Sequence, residues 1–465
     1  MFRALAVSAG LMALAAPALA QVKPDEQAFR DLYKELVETN TSLSVGSCTE
    51  AATKMAARLK AAGYSDDDAR VWTEPSHPKE GGLIAKLAGS DANAKPVLML
   101  AHIDVVEAKR EDWTRDPFKL VEEGGYFYGR GSSDDKAMAS IWVDTLIRYR
   151  KEGFKPKRTI KLALTCGEET NGAFNGAEWL SKNHKDWIDA EFAINEGGGG
   201  QLDASGKPVF MGIMVGEKLS QNYTLEVTNP GGHSSRPLPD NAINQLAEGL
   251  TKIAKYRFPV VFNDTTRGYF TEMAKIKGGE TAKAMTALMK NPKDAAADKT
   301  LSANPDYNRI LRTTCIATML DAGHATNALP QRARANINCR IFPGTTVEEV
   351  RKLLETIVKD KAIKVTVRDT RNAPAPPPPL NPSVIDPAQK LAKEMYPGVP
   401  NLLTMAAGAT DGAFLTPVGI PTYGISGSFG DNDGNGVHGL NERIRVKSLM
   451  DSREYLYRLM KAYAG

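Results

Sequence analysis

Cysteine is scarce in this chain. There are four in 465 residues, Cys48, Cys166, Cys315 and Cys339, and none shows C-x-x-C spacing. That excludes a small disulfide scaffold and a cysteine-built zinc module. Cys315 and Cys339 fall on stretches that read as paired strands, so a bridge and two buried free thiols both fit. An excess of charge of one sign is also lacking. A net charge of +4 over this length gives no reason to expect a nucleic-acid partner. No long basic run and no phosphate-cradling glycine loop occurs. After the first twenty residues no apolar run is long enough to span a bilayer, so the mature chain is expected to stay off the membrane.

What is present starts at the N-terminus. Arg3, the apolar stretch from Ala4 to Ala16 and the small-x-small run Ala18-Leu19-Ala20 have the layout of a secretory signal over residues 1–20. The expectation is a periplasmic or secreted protein whose mature chain starts at Gln21. The length argues for two domains. Helical periodicity over Pro24–Asn40 and Thr49–Ala62 precedes short strands at Leu83–Leu87 and Pro96–Val106. Gly124–Gly131 reads as a tight turn, followed by a helix at about Ala137–Tyr149. A strand at Ile160–Thr165, a helix at Gly176–Asn183 and a strand at Glu191–Asn195 complete the first part. Strands alternating with helices predict a three-layer, mostly parallel α/β catalytic domain.

The pattern then changes. Half-exposed strands at Gln221–Thr228, Thr313–Leu320, Arg334–Ile341 and Ile363–Arg368, with helices at Asn241–Tyr256 and Val347–Val358, run in the order βαββαβ. This is the split unit of a small α+β sandwich. A charged, helical insertion covers 257–308, and a proline-rich connector runs from Ala373 to Pro382. The domain plan is therefore a signal at 1–20, catalytic parts at 21–216 and 372–465, and an inserted lid at 217–371.

The chemistry collects where strands end. Polar residues first appear at the C-terminal edge of a buried parallel strand, and ligands bind at that edge. His102, Asp134, Glu169, Glu196 and His438 occupy such places. Two imidazoles and three carboxylates suit zinc, or another divalent ion such as Co2+ or Mn2+. If one carboxylate bridges, the set serves two metals. Asp104 lies two residues from His102, on the same face, where a carboxylate can orient the ring. Glu168 and Glu169 are adjacent in extended chain and point opposite ways, so one can bind metal while the other faces the reacting water.

His102-x-Asp104, GRGSSDDK (Gly129–Lys136), Gly167-Glu168-Glu169 and the late His438 resemble the zinc-dependent carboxypeptidase and aminoacylase family, which includes glutamate carboxypeptidase, carnosinase and succinyl-diaminopimelate desuccinylase. The resemblance implies that His102 and Glu196 hold one zinc, Glu169 and His438 hold the other, and Asp134 bridges them. It makes Asp104 the residue that orients His102 and Glu168 the general base. His233, in Gly231-Gly232-His233-Ser234-Ser235, resembles the lid histidine that polarises the scissile carbonyl. Asn327 and Arg340 resemble the pair that grips the substrate's free carboxylate, and an Arg fork suits that anion.

The expected activity is release of an amino acid from a peptide by a metallo-exopeptidase. Hydrolysis of an N-acyl amino acid by the same mechanism is the alternative. A non-catalytic periplasmic peptide-binding protein ranks third, because base and bridge are both present. A homodimer is compatible with the resemblance, since some members take the lid histidine from a partner subunit.

Overall fold

The computed structural model describes residues 23–170, 174–368 and 377–465. The signal expected at 1–20 and the start of the proline-rich connector lie outside these residues. No described helix is long and apolar enough to cross a membrane.

The Val97–His102 strand is the centre of the molecule. It pairs in parallel with Ile160–Thr165 on one side and Phe192–Asn195 on the other. Its residues alternate between two cores. Val97, Met99 and Ala101 face helices Pro24–Glu38, Lys136–Glu152 and Val446–Ala464, while Leu98 and Leu100 face the layer carrying Leu180 and Ile188. Burial on both faces is what the continuous apolar run predicts. Trp142, wholly buried, donates its indole N–H to the Leu100 carbonyl at 3.0 Å. That contact fixes the helix beginning at Lys136 against the central strand, and so positions the residues just before it.

The ten-stranded sheet continues through Thr422–Gly424 to Pro208–Glu217, Gly199–Leu202 and Phe429–Gly430, with Asn401–Ala406 parallel to Pro208–Glu217. Antiparallel strands Ala69–Glu74 and His77–Leu87 close the other edge. The fold is thus the mostly parallel, helix-flanked α/β architecture expected. Several strands escape a pattern reading. The short strand expected at Leu83–Leu87 is the end of an eleven-residue strand. The glycine-rich stretch after Glu196 enters the sheet, and Gly124-Gly125 turns a small hairpin whose Tyr126–Tyr128 strand pairs with Arg443–Arg445.

After Glu217 the chain builds a four-stranded antiparallel sheet. Its order is Thr314–Ala322, Arg332–Ile341, Leu219–Thr228, Ile363–Val367. Helices Ala242–Lys255 and Val347–Val358 cover one face through Leu246, Ile253, Val350 and Leu354. Both helices start on caps written in the sequence: Asn241 accepts from two backbone N–H groups, and Thr346 and Glu349 form a capping box. Four helices between Asp264 and Leu311 leave this sheet and pack elsewhere. Phe270, Met273, Met285 and Leu288 share a core with Leu402 and Met405 of the large sheet.

All four cysteines are paired, Cys48 with Cys166 and Cys315 with Cys339. The second pairing joins neighbouring strands. The first is not visible in the sequence, because it ties a helix N-terminus to a strand end 118 residues away.

Candidate metal centre

His102 ends the central strand with its ring buried. Nδ1 faces Asp104, 3.2 Å from the carbonyl oxygen and 3.5 Å from Oδ1. Nε2 lies 3.1 Å from Asp134 Oδ1 and 3.8 Å from Glu196 Oε1. The other oxygen of Asp134 is 3.2 Å from Nε2 of His438, which also lies 2.8 Å from Glu169 Oε2. Two triads result, His102–Asp134–Glu196 and Asp134–Glu169–His438, each with ligand atoms within 4.8 Å of one another. Asp134 belongs to both and offers one oxygen to each.

Asp104 has a second task. Its carboxylate accepts the backbone N–H of Glu168 at 3.3 Å and of Glu169 at 3.0 Å. One side chain therefore aligns His102 and the two glutamates together. Gly167, just before them, has φ +92°, and a Cβ there would stand 1.9 Å from the Phe174 carbonyl oxygen. Only glycine lets the strand turn into the Glu-Glu pair. Glu168 belongs to neither triad.

Charge at the centre is strongly shaped. Burial opposes a charge on His102, yet Glu196, Asp104 and Asp134 hold its pKa well above the ordinary histidine value. Hydrogen bonds to Asp134 and Glu169 push His438 up to about 10. Burial, and then the neighbouring carboxylates, raise Glu196 and Glu168 well above the usual range. Asp134 is pulled low despite its burial, by hydrogen bonds to the two imidazoles. The field of this cluster favours cations. Three carboxylates and two imidazoles are a donor set that zinc, cobalt or manganese accepts, so the residues fit a pair of divalent ions.

Sequence reasoning missed what holds the centre from behind. Glu442 is buried and pairs with Arg130 at 2.7 Å. It also accepts the backbone N–H groups of Gly131, Ser133 and Asp134, at 2.9, 2.9 and 3.1 Å. A carboxylate so bonded sets the loop that presents Asp134; the Asp134–Asp135 peptide within that loop is cis. Asp411 accepts from the Thr165 hydroxyl at 2.6 Å and the Asn175 amide at 2.9 Å, tying the catalytic strand end to the Gly408–Gly412 turn. The only signal for Glu442 was its place four residues after His438.

The small-sheet residues are placed differently. Arg340 stands near enough to Glu168 for attraction to offset part of the cost of its own burial. His233 and Asn327 are exposed and belong to a separate two-stranded ribbon, where Gly232–His233 pairs with Ala328–Leu329. The described bonds of the His233 ring go to Ser235, and the Asn327 carbonyl accepts from the Ser234 N–H. Neither residue belongs to the triads.

A mostly parallel α/β sheet whose strand ends gather two such triads around a shared aspartate defines a metal-dependent hydrolase of the peptidase and amidohydrolase class. Residues 98–462 match the model of Peptidase family M20/M25/M40, and the chain belongs to that family. Its relatives include the N-fatty-acyl-amino acid synthase/hydrolase PM20D1 of Homo sapiens, 29% identical over 399 residues, spanning 82% of this chain and 77% of that protein. Carboxypeptidase S of Saccharomyces cerevisiae is 29% identical over 285 residues, 58% of this chain and 49% of that one. Among solved structures, the M20 family metallo-carboxypeptidase Sso-CP2 from Sulfolobus solfataricus shares the fold. Its TM-score is 0.70 at 21% identity, over 95% of this chain and 100% of that one.

Proposed function

We propose that this chain is an exported amidohydrolase with two zinc ions, which cleaves the amide bond of an N-acyl amino acid and releases the free amino acid. The observation that carries the reading is Asp134, with one oxygen turned to His102 and the other to His438. His102 and Glu196 would hold one ion, Glu169 and His438 the other, with Asp134 between them. When bound, such a pair supplies Lewis acidity and brings the pKa of a shared water towards ~7.

The protein's own residues do the rest. Glu168, outside both triads and raised in pKa by burial, is the base that takes a proton from the attacking water and returns it to the leaving nitrogen. Asp104 keeps base and ligands in register through one carboxylate. Arg340 offers its fork to the carboxylate of the departing amino acid. His233 and Asn327 reach the substrate when the small sheet closes over the centre, or when the same ribbon of a second copy supplies them. Two crossings between the sheets, near 217 and 371, give such a lid its hinge. Export through the signal at 1–20 is supported by the pairing of all four cysteines, which suits an oxidising compartment.

The similarity to an N-fatty-acyl-amino acid synthase/hydrolase supports N-acyl amino acids as the substrate class. The similarity to carboxypeptidase S supports peptides as the second reading. The test is release of free amino acid from a panel of N-acyl amino acids and dipeptides, by enzyme stripped of metal and by enzyme reloaded with zinc. Zinc-dependent cleavage of the N-acyl compounds is expected. Cleavage of dipeptides alone would replace the first reading by the second, and full activity after stripping would end both.

A further inference from the structure

Asp134 and Glu196 line a cavity of about 290 Å3 that runs away from the metal centre between Met138, Ile141 and Leu449. A second cavity of about 580 Å3 shares with it the floor formed by Gly197–Gly200, together with Gly430, Asp431 and Gly434. Together they form one channel leading out from the centre, in the size range of about 300–1,000 Å3 typical of small-molecule sites.

The outer half has two walls. Phe210, Met214 and Met405 come from the large sheet, and Tyr269, Met273 and Ile310 come from the helical insertion at 257–308 and the turn of helix that follows it. This explains why the insertion leaves the small sheet. Its helix Asp264–Lys277 is anchored on the large sheet through Met273, Leu402 and Met405, so it stands beside the metal centre as a fixed wall. The floor is backbone already committed to sheet pairing, Gly199 with Gly212 and Gly200 with Met211. Gly198 has φ +65°, and a Cβ there would stand 2.4 Å from the Gly424 carbonyl oxygen, so the floor must stay bare of side chains. The charged groups Lys277, Asp306 and Arg309 are exposed at the outer chamber.

We infer that the insertion makes this channel the acyl-chain subsite, and that Tyr269, Met273 and Ile310 set how long an acyl group the enzyme accepts. A wall of thioether, aromatic and branched side chains over a floor of paired backbone suits a run of methylenes. It has little to offer a peptide, whose own backbone needs hydrogen-bond partners when buried. Arg340 lies on the Glu168 side, so the carboxylate of the amino acid and the acyl chain leave the scissile bond in different directions.

This inference rests on the amidohydrolase reading, and the experiment separates the two. The zinc-loaded full-length mature enzyme is assayed on one amino acid acylated from acetyl to palmitoyl, and kcat/KM is plotted against chain length. For the wild type a rise of roughly fourfold per methylene is expected until the channel is filled. Met273→Trp and Ile310→Trp should end the rise at a shorter chain, lowering the palmitoyl-to-acetyl ratio at least tenfold. Tyr269→Ala should carry the rise further. Lys283→Ala, remote on the exposed face of Gly279–Lys290, should leave the profile as it is.

Because each ratio is internal to one variant, partial loss of folded enzyme does not alter it. If both tryptophan variants fail to fold, the Tyr269→Ala profile decides alone. N-acyl amino acids cleaved with no dependence on chain length, or variants with the wild-type profile, would overturn the channel while leaving the amidohydrolase. Cleavage of dipeptides and of no N-acyl compound would overturn both.

Discussion

The residues at the edge of the large sheet are held from behind, whereas those on the ribbon of the small sheet are held only by each other. Asp134 is fixed through the backbone bonds that Glu442 accepts, and His102, Glu168 and Glu169 through Asp104. His233 bonds to Ser235 within its own hairpin and is exposed. Arg340 lies between these extremes, part-buried on a strand and within the field of Glu168. The difference separates parts that must be preorganised from a part that must travel. Electrostatic stabilisation works because donors and ligands stand in place before the reaction, while a lid contributes only after closure.

The largest effect that tests this contrast is at the glutamate pair. Glu168→Gln should keep its metals and lose roughly 10²–10⁴ in kcat. Glu169→Gln should shed metal from one triad and recover part of its activity in excess zinc. Metal content by elemental analysis, measured beside steady-state kinetics, tells the two apart. Reversed behaviour would exchange the assignments of base and ligand. His233→Ala comes next. It should lower kcat by about 10²–10³, the usual cost of one oxyanion donor, with metal content unchanged. An unaltered kcat would leave the ribbon without a catalytic task.

Glu442→Gln sharpens the comparison from the rigid side. It keeps the size of the residue but weakens acceptance from three backbone N–H groups and the pairing with Arg130. A loss of about 10–100-fold in zinc affinity is expected, as for other groups that support a ligand. Titration calorimetry or chelator competition reads it. Wild-type affinity would show that the Asp134 loop holds itself.

The smallest effect concerns the crossing between the two regions. Glu217 accepts from the Thr410 N–H and hydroxyl, and burial pushes its pKa up to about 8 from 4.5. A raised folded-state value means that the native protein keeps a proton the unfolded chain gives up. The associated stability is present below about pH 4.5 and is lost as the pH rises through about 8. Lys218, pushed down to about 7 by burial, acts with the opposite slope at higher pH. In Glu217→Gln the Tm should therefore fall less than in the wild type between about pH 5 and pH 8.5. Parallel Tm curves would remove Glu217 from the account.

Much of this was legible in the sequence. Alternating apolar residues give away strands buried on both faces, and a polar residue at the end of one, such as His102 or Glu169, marks the edge where a site forms. The strands Gly199–Leu202 and Pro208–Glu217 were hidden because a run of glycines carries no side-chain period. Glu442 was hidden because its partners Arg130 and Gly131 lie more than 300 residues away. The Cys48–Cys166 link and the tie of Asp411 to Thr165 were hidden for the same reason. Local pattern reports which face is buried. It does not report which distant carboxylate meets which loop.

The shared aspartate is the centre of the account, and counting metal tests it most directly. Apo enzyme titrated with zinc, with bound metal measured by elemental analysis after desalting, should take up two ions per chain. Asp134→Ala should abolish tight binding of both together, whereas Glu196→Ala and Glu169→Ala should each weaken mainly one. A single ion in the wild type, or an Asp134→Ala variant that still binds two tightly, would contradict it.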